Sequence, residues 1–200
     1  MEAGAPDTTR MKLEAGRYKV KLAETDEEVS AAQRLRYNVF VEEMGADASP
    51  EQREMRQELD RFDPYFDHLI LIDLESVSPD PLDRVVAVYR LMRDEAARQG
   101  VGFYCASEYD LGPVVASGRR SVELGRSCVA KVHRGGVSMH LLWNALARYV
   151  IERDIDILFG VASFHGRDPE KIAEALSHLW VRHLAPPDLR MKARREGYVA

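Results

Sequence analysis

The segment from residue 121 to residue 164 constrains the fold of this chain more than any other. SVELGRSCVA (121–130) is predicted to be a strand, VSMHLLWNALARYVIERD (137–154) has apolar residues at helical spacing, and DILFGVASF (156–164) is an almost wholly apolar strand. A strand, a helix and a second strand in this order form a crossover, which places the two strands parallel in one sheet. The unbroken apolar run of the second strand predicts that it is buried on both faces.

The preceding elements predict an antiparallel part of the same sheet. RYKVKLA (17–23) alternates as a strand, and TDEE begins a helix over 25–44 with a capping box. HLILIDLE (68–75) and RVVAVYRLM (84–92) form an antiparallel pair. With a last helix after Asp168, this order predicts an α/β (α+β) fold with a mixed central sheet, helices on both faces and a strand at 121–130.

The chain of 200 residues is long enough for one sizeable domain. We predict a disordered stretch over 1–15, a single domain over 16–190, and a basic tail over 191–200 at which the protein is either truncated or short. The formal net charge of −5 argues against broad nucleic-acid binding. No apolar run approaches the roughly 18 residues of a membrane-spanning helix, and the N-terminus has no apolar core, so we predict a cytoplasmic protein.

Two cysteines, Cys105 and Cys128, show no metal-binding spacing and are predicted to be free thiols. A nucleophilic Cys128 is one interpretation, and a small buried residue is the other. We predict no metal site.

Charged residues occupy positions where strands should be apolar. Arg90 shares a predicted strand face with Val86 and Val88, so it needs a carboxylate partner or an open cavity, unless it ends the strand and reaches solvent. Regular alternation would direct Glu123 and Arg126 to opposite faces of their strand.

The glycine between those two charges offers a way to bring them together. Gly125 is typical of a β-bulge, and a bulged strand would turn Glu123 and Arg126 toward one cleft. An ordinary ion pair at a sheet end explains the same residues.

Asp60 and Asp63 lie three residues apart in ELDRFDPYFD, on one side of a turn. Turn-favouring aspartates explain this pattern, and so does a site for a cationic substrate. Arg36 lies beside an aromatic segment, Tyr37–Phe40, and is a candidate for the same cleft.

The loop RGGVS (134–138) precedes the strongest predicted helix. Glycines before a helix N-terminus leave backbone N–H groups free to bind an anion, and Lys131, His133 and Arg134 add positive charge. Many helices begin after such turns without binding a ligand, so the loop alone does not define a site.

Taken together, segments across about residues 17–190 resemble the bacterial L-ornithine N-alpha-acyltransferases of ornithine-lipid synthesis, which have the GCN5-related N-acetyltransferase (GNAT) fold. The segments are RLRYNVFVEEMG, LDRFDPYFDHLILID, VVAVYRL, VELGRSCV, LLWNALARYV and LFGVASFHGRDP. This family is related to the acyl-homoserine-lactone synthases. Its members continue beyond the equivalent of Ala200, and VHRGGVS departs from the R/Q-x-x-G-x-G/A loop of acetyl-CoA users.

The resemblance implies transfer of a 3-hydroxyacyl chain from acyl carrier protein to the alpha-amino group of L-ornithine, which gives lyso-ornithine lipid. It implies no bound cofactor, since the donor is acyl-phosphopantetheine on the carrier protein. Acyl carrier protein and L-ornithine are the expected partners, nucleic acid is not, and peripheral contact with the inner membrane stays open. An acyl-homoserine-lactone synthase and an inactive acyl- or carrier-protein-binding module are the alternatives.

Carried over by motif, the resemblance also implies the site residues. The substrate-binding residues would be Arg36, Phe40, Asp60, Asp63 and Arg90. The motif also carries over Glu123 and Arg126 as catalytic residues. The chemistry of aminolysis makes Glu123 the candidate base, Arg90 or Arg126 the carboxylate-binding group, and Ser127 or Tyr104 the candidate proton donor to the leaving thiolate, with backbone N–H groups near Cys128–Val129 as oxyanion donors. The positive charge and the glycines of the loop make Lys131, His133, Arg134, Gly135 and Gly136 the candidate phosphopantetheine and carrier-protein residues.

Overall fold

The computed structural model describes residues 12–163 and 168–194. The strands are β1 (Leu13–Ala15), β2 (Tyr18–Leu22), β3 (Asp67–Asp73), β4 (Val85–Arg93), β5 (Tyr109–Asp110), β6 (Ser121–Val129), β7 (Ile157–Gly160) and β8 (Lys192–Ala193). The helices are α1 (Asp26–Arg36), α2 (Pro50–Met55), α3 (Asp94–Ala96), α4 (Gly112–Ala116), α5 (Val137–Glu152) and α6 (Pro169–Arg182). None of these helices, all within the described residues, is long and apolar enough to cross a membrane.

The first helix begins after Thr25, as the sequence predicts. The Thr25 hydroxyl accepts a hydrogen bond from the N–H of Glu28 at 3.2 Å, which is half of a capping box. The side chain of Glu28 accepts from the N–H of Glu24 at 2.8 Å, one residue earlier than in the standard motif. Beyond α1 the chain continues as π-helical turns over Tyr37–Glu43, so the predicted length of this helical segment is confirmed.

The sheet combines an antiparallel meander with one parallel pair. Its strand order is β1-β2-β3-β4-β6-β7. β3 and β4 pair antiparallel, as do β4 and β6, whereas β6 and β7 are parallel and α5 crosses between them. The predicted mixed sheet and its crossover are therefore confirmed. A separate two-stranded sheet pairs β5 with β8.

Helices cover both faces of the sheet, as predicted. On one face α5 packs Leu142 and Tyr149 against a cluster that includes Leu91 of β4. On the other face α1 packs Ala32 into a cluster that includes Val88. Both faces of β4 are therefore in the core. This explains why Val85–Tyr89, the residues that precede Arg90 in this strand, include no charged residue.

The strand β7 differs from its prediction. It covers Ile157–Gly160 rather than 156–164, and residue 164 lies outside the described residues. Among the described strands it is an edge of the sheet, and Leu158 on it is 41% exposed. The prediction of burial on both faces is wrong, because Leu158 and Gly160 are exposed and Phe159 is the buried residue of this strand.

The predicted ends of the domain also need correction. Leu13–Ala15 lies in the stretch predicted to be disordered, yet it pairs with β2. Lys192–Ala193 lies in the predicted basic tail, yet it pairs with β5. Residues 1–11 and 195–200, which hold the rest of these two predictions, lie outside the described residues.

The parallel strands β6 and β7 separate halfway along. They pair from Ser121 with Ile157 to Leu124 with Gly160. Beyond that point β6 continues to Val129 beside β4 alone, while residues 161–163 leave the sheet. We call the opening between residues 125–129 and residues 161–163 the split.

Gly160 fixes the point at which the split begins. A Cβ atom at this position would collide with the backbone oxygen of Leu124, whereas a Cβ at Gly125 would meet nothing within 4 Å. We expect Gly160→Ala to lower the free energy of unfolding by about 1–3 kcal/mol, since backbone cannot yield as a side chain does. The matched variant Gly125→Ala should cost less in the same urea titrations. Equal losses in the two variants would contradict the close approach.

Candidate active site

A bulge in β6 turns charged residues toward the α1 side of the sheet. Val88 of β4 pairs with Cys128 and Arg90 pairs with Gly125, so two residues of β6 oppose Tyr89 alone. The bulge that the sequence predicts is confirmed, but the residue in the left-handed region is Arg126, with φ of 51°, and not Gly125. An arginine in that conformation is strained, which is a feature that clusters at functional sites.

Beside this bulge lies a small cavity, about 170 Å³ in volume, which we call the charged cavity. Its lining includes Phe66, Arg90, Tyr104, Glu108, Glu123 and Arg126. Glu123 and Arg126 therefore line one cavity, as the bulge hypothesis requires. Val161 and Ser163, at the split, line it too.

Glu123 is buried, with 1% of its surface exposed, and it has no cationic partner among the described residues. Its two carboxylate oxygens accept hydrogen bonds from the N–H groups of Tyr104 at 2.8 Å and Cys105 at 2.7 Å. These bonds fix the carboxylate in the cavity wall and also hold the short helical turn Tyr104–Ser107 against β6.

Asp63 lies between two buried arginines. Its oxygens accept from Arg36 at 2.9 and 2.8 Å, and from Arg90 at 2.7 Å. Burial alone would raise the pKa of Asp63, but the hydrogen bond and charge of Arg36, with those of Arg90, lower it well below its usual range. Burial and the charge of Arg36 likewise lower the pKa of His68, which keeps this neighbouring imidazole neutral.

Two further acidic residues complete the ion network around these arginines. Asp60 accepts from Arg90 at 3.0 Å through both of its oxygens. Glu58 forms ion pairs with Arg36 at 2.6 Å and with Arg126 at 3.0 Å. Three guanidinium groups therefore meet three carboxylates, and the network is neutral as a whole.

This pairing decides between the two interpretations of Asp60 and Asp63, since in the structure they hold Arg36 and Arg90 in place. Arg36 has no exposed surface, pairs with Glu58 and Asp63 and is not part of the lining of the charged cavity, so its direct contact with a substrate stays a prediction. Arg90 is 1% exposed but does line the charged cavity, with Phe66 stacked 4.3 Å from its guanidinium carbon. Arg126 stacks on the ring of Tyr104 at 5.1 Å.

Glu58 and Glu108 were not predicted from the sequence, whereas Tyr104, a candidate proton donor, does line the charged cavity. A signal for Glu58 was present, because QELDRFD contains a third acidic residue beside Asp60 and Asp63, and three candidate arginines need three partners. Glu108 lies in a polar, irregular stretch where no sequence pattern distinguishes it from a solvated residue.

A larger groove, about 660 Å³ in volume, lies on the other side of Arg126 and is called here the outer groove. Phe40 and Met44 supply apolar lining, and Ser127 is an exposed hydroxyl at its wall. Arg126, Val161 and Ser163 line both spaces, so the charged cavity and the outer groove meet at the split.

Backbone at the end of β6 also faces the split. The N–H of Ala130 donates to Val86 of β4 at 2.8 Å. Because such bonds alternate along an antiparallel pair, the N–H of Val129 points to the opposite edge, toward the split. The carbonyl of Val129 accepts from Arg134 at 2.9 Å.

Both cysteines are free and buried. Burial raises the pKa of Cys128 to about 12, so it stays a protonated thiol in the α1 cluster, which favours the structural interpretation over the nucleophilic one. Burial, a hydrogen bond to Glu123 and the charges of Glu123 and Glu108 together raise the pKa of Cys105.

The loop before α5 has fewer free cations than the sequence suggests. Arg134 pairs with Glu43 at 2.6 Å, and His133 shares a hydrogen bond with the hydroxyl of Tyr18 at 3.0 Å. Lys131 is exposed. Gly135 has φ of 73°, and Gly136 precedes α5 with no side-chain cap, so the first N–H groups of α5 have no such partner.

Fold and domain comparisons agree on the class of protein. A model of the acetyltransferase (GNAT) domain matches residues 35–144. The structure is similar to that of FeeM, an N-acyl amino acid synthase from uncultured soil microbes, with a TM-score of 0.54 and 15% identity, covering 82% of this chain and 77% of FeeM. The chain is a GNAT-fold protein.

Sequence relatives narrow this class to one family. The chain is 54% identical to the L-ornithine N(alpha)-acyltransferase of Rhodobacter capsulatus over 89% of its own length and 68% of that relative. It is 40% identical to that of Agrobacterium fabrum over 92% of its length and 63% of that relative. It belongs to the L-ornithine N(alpha)-acyltransferase family, which confirms the resemblance, and it spans about two thirds of these relatives.

Proposed function

We propose that this protein transfers a 3-hydroxyacyl chain from acyl carrier protein to the alpha-amino group of L-ornithine and so forms lyso-ornithine lipid. Membership of the family carries this proposal. The placement of Glu123 and Arg126 in one cavity at the split supports it, because aminolysis needs an acid–base group and an anion-binding group around one amino acid.

In this proposal the charged cavity holds ornithine. The Nε of Arg126 bonds Glu58, and the remaining N–H groups of this guanidinium are suited to the substrate carboxylate. Glu123 then faces the alpha-amino group. That group has a pKa near ~8 in solution and is mostly protonated at neutral pH, so it must lose a proton before it attacks.

The donor thioester would enter through the split, with its acyl chain in the outer groove beside Phe40. The amine nitrogen attacks the thioester carbon, its proton passes to Glu123 directly or through a water, and the N–H of Val129 stabilises the oxyanion. The C–S bond then breaks, and the pantetheine sulfur leaves as a thiolate or takes a proton, for which the exposed hydroxyl of Ser127 and the phenol of Tyr104 are the candidates.

The phosphate of the pantetheine arm fits the uncapped N-terminus of α5 with Lys131 beside it. We expect Lys131→Ala to lower kcat/KM for acyl carrier protein several-fold at low ionic strength, with the KM for ornithine unchanged, because a charge at the rim acts mainly on encounter. Lys171→Ala, an exposed lysine on α6, is the control. Equal losses in both variants, or a loss that high salt leaves intact, would contradict this placement.

The decisive experiment is an in vitro reaction of the purified protein with 3-hydroxyacyl carrier protein and a panel of amino acids, read by mass spectrometry. N-acylornithine as the main product is the expected result. An acyl-homoserine lactone formed in the presence of S-adenosylmethionine would favour the lactone-synthase alternative. Binding of the acylated carrier protein without transfer to any amine would favour the binding-module alternative.

A further inference from the structure

Glu108 is a carboxylate of the charged cavity to which neither sequence nor family relationship gives a role. It is exposed, and its side chain forms no hydrogen bond or salt bridge within residues 12–163 and 168–194. Its backbone is nevertheless fixed, since its N–H donates to Cys105 at 3.0 Å and its carbonyl accepts from Arg194 at 2.7 Å. An unpaired carboxylate on ordered backbone at a cavity wall is available to a ligand.

One short turn positions both Glu108 and Glu123. The N–H groups of Tyr104 and Cys105 at its start hold the carboxylate of Glu123, and Glu108 follows directly at its end. Glu108, Glu123 and Cys105 all line the charged cavity, and the charges of both carboxylates help to raise the pKa of the buried thiol of Cys105. The turn therefore fixes the spacing between two negative charges in one cavity.

The charges of the cavity are not balanced within the protein. The arginines that line it, Arg90 and Arg126, already pair with Asp60, Asp63 and Glu58. Neither Glu123 nor Glu108 forms a salt bridge in the described part of the chain, so two negative charges are left uncompensated. A ligand with two ammonium groups and one carboxylate, which Arg126 can bind, complements this arrangement.

We propose that Glu108 binds the distal ammonium group of the acceptor and selects a diamino acid over its neutral analogues. This inference rests on the proposed function, since it takes the acceptor to be ornithine in the charged cavity. With the alpha-amino group at Glu123 and the carboxylate at Arg126, the side chain of the acceptor extends toward Glu108. Glu108 is then a specificity-determining residue, and the chemical step does not require it.

The test compares ornithine with norvaline, which has the same carbon chain and lacks the distal amine. We expect Glu108→Gln to raise the KM for ornithine about tenfold to a hundredfold, the range for a hydrogen bond to a charged group, with kcat nearly unchanged. The KM for norvaline should not change, so the preference for ornithine falls by the same factor. Glu174→Gln, which removes an exposed carboxylate on α6, should leave both constants unchanged.

An unchanged ratio of the two amino acids in Glu108→Gln would overturn the inference, as would an equal fall in kcat for both. Calorimetric binding of ornithine and norvaline separates this inference from the proposed function. If the wild-type protein transfers no acyl chain but prefers ornithine, and Glu108→Gln loses that preference, the subsite stands and the proposed function fails. If the wild-type protein does not discriminate between the two amino acids, the subsite is wrong whatever the reaction.

Discussion

Replacing Asp63 with alanine is expected to lower the free energy of unfolding by about 3–5 kcal/mol, the range for breaking a buried ion pair. Within residues 12–163 and 168–194, Asp63 is the one carboxylate that bonds both Arg36 and Arg90, which are 0% and 1% exposed. Without it, Arg36 keeps Glu58 and Arg90 keeps Asp60, but the buried network then holds three guanidinium groups and only two carboxylates. Urea titration at neutral pH measures this loss.

Glu152→Ala is the control for this variant, since Glu152 pairs with Arg148 on the surface of α5. An exposed pair of this kind contributes about 0.3–0.5 kcal/mol. Similar losses in the two variants would show that the ion network around Asp63 is not buried in solution.

Asp63→Asn adds a test by pH. Because the folded-state pKa of Asp63 is lowered, its stabilising contribution is complete above the ordinary carboxylate pKa of about 4 and is lost as the pH falls below that value. An asparagine does not titrate. The difference in stability between the wild-type protein and Asp63→Asn should therefore be constant from neutral pH down to about 5 and should shrink in acid. A difference that does not change in acid would contradict the pairing.

The sequence predicted the fold well where the residue pattern of a single element specifies that element as a helix or a strand. The period of residues 137–154 specifies a helix, and a helix between two strands specifies a parallel pair. The prediction for β7 failed, because an apolar run is typical of a buried strand but does not show whether the strand lies inside the sheet or at its edge. A side-chain pattern also carries no information on which of two neighbouring residues takes the left-handed conformation, so the bulge was predicted and its centre at Arg126 was not.

The sequence predicted that the site would contain buried charged residues, but it did not predict which of them pair. A lone arginine on an apolar strand face needs a carboxylate partner or an open cavity unless it reaches solvent, and Arg90 has both a carboxylate partner and a cavity. Which carboxylate it bonds depends on the loop that carries Asp60 and Asp63, 30 and 27 residues away along the chain. For Arg36 the aromatic neighbours suggested a cleft, whereas the structure buries its guanidinium completely and pairs it with Glu58 and Asp63.

Glu123→Gln is expected to lower kcat about 10²- to 10⁴-fold, the usual contribution of a positioned acid–base group. Glutamine keeps the length of the side chain, and its carbonyl oxygen still accepts one of the N–H bonds from Tyr104 and Cys105. The other N–H then loses its acceptor, so we also expect a loss of about 1–3 kcal/mol in stability. Activity must therefore be measured well below the unfolding transition, beside Glu174→Gln as control.

The pH dependence of this variant separates proton transfer from mere support of the Tyr104–Ser107 turn. If Glu123 takes the proton of the alpha-amino group, the deficit of Glu123→Gln should shrink as the pH rises past the amine pKa of about 8, because the substrate is then already neutral. If Glu123 only holds the turn, the deficit should be the same at every pH. Backbone N–H groups anchor both oxygens of Glu123, so this carboxylate is held in place. It can still accept a proton from a substrate that binds in the charged cavity. A deficit that stays constant or rises with pH, or turnover of Glu123→Gln at neutral pH equal to that of the wild-type protein, would remove Glu123 from the chemistry and leave it a structural residue.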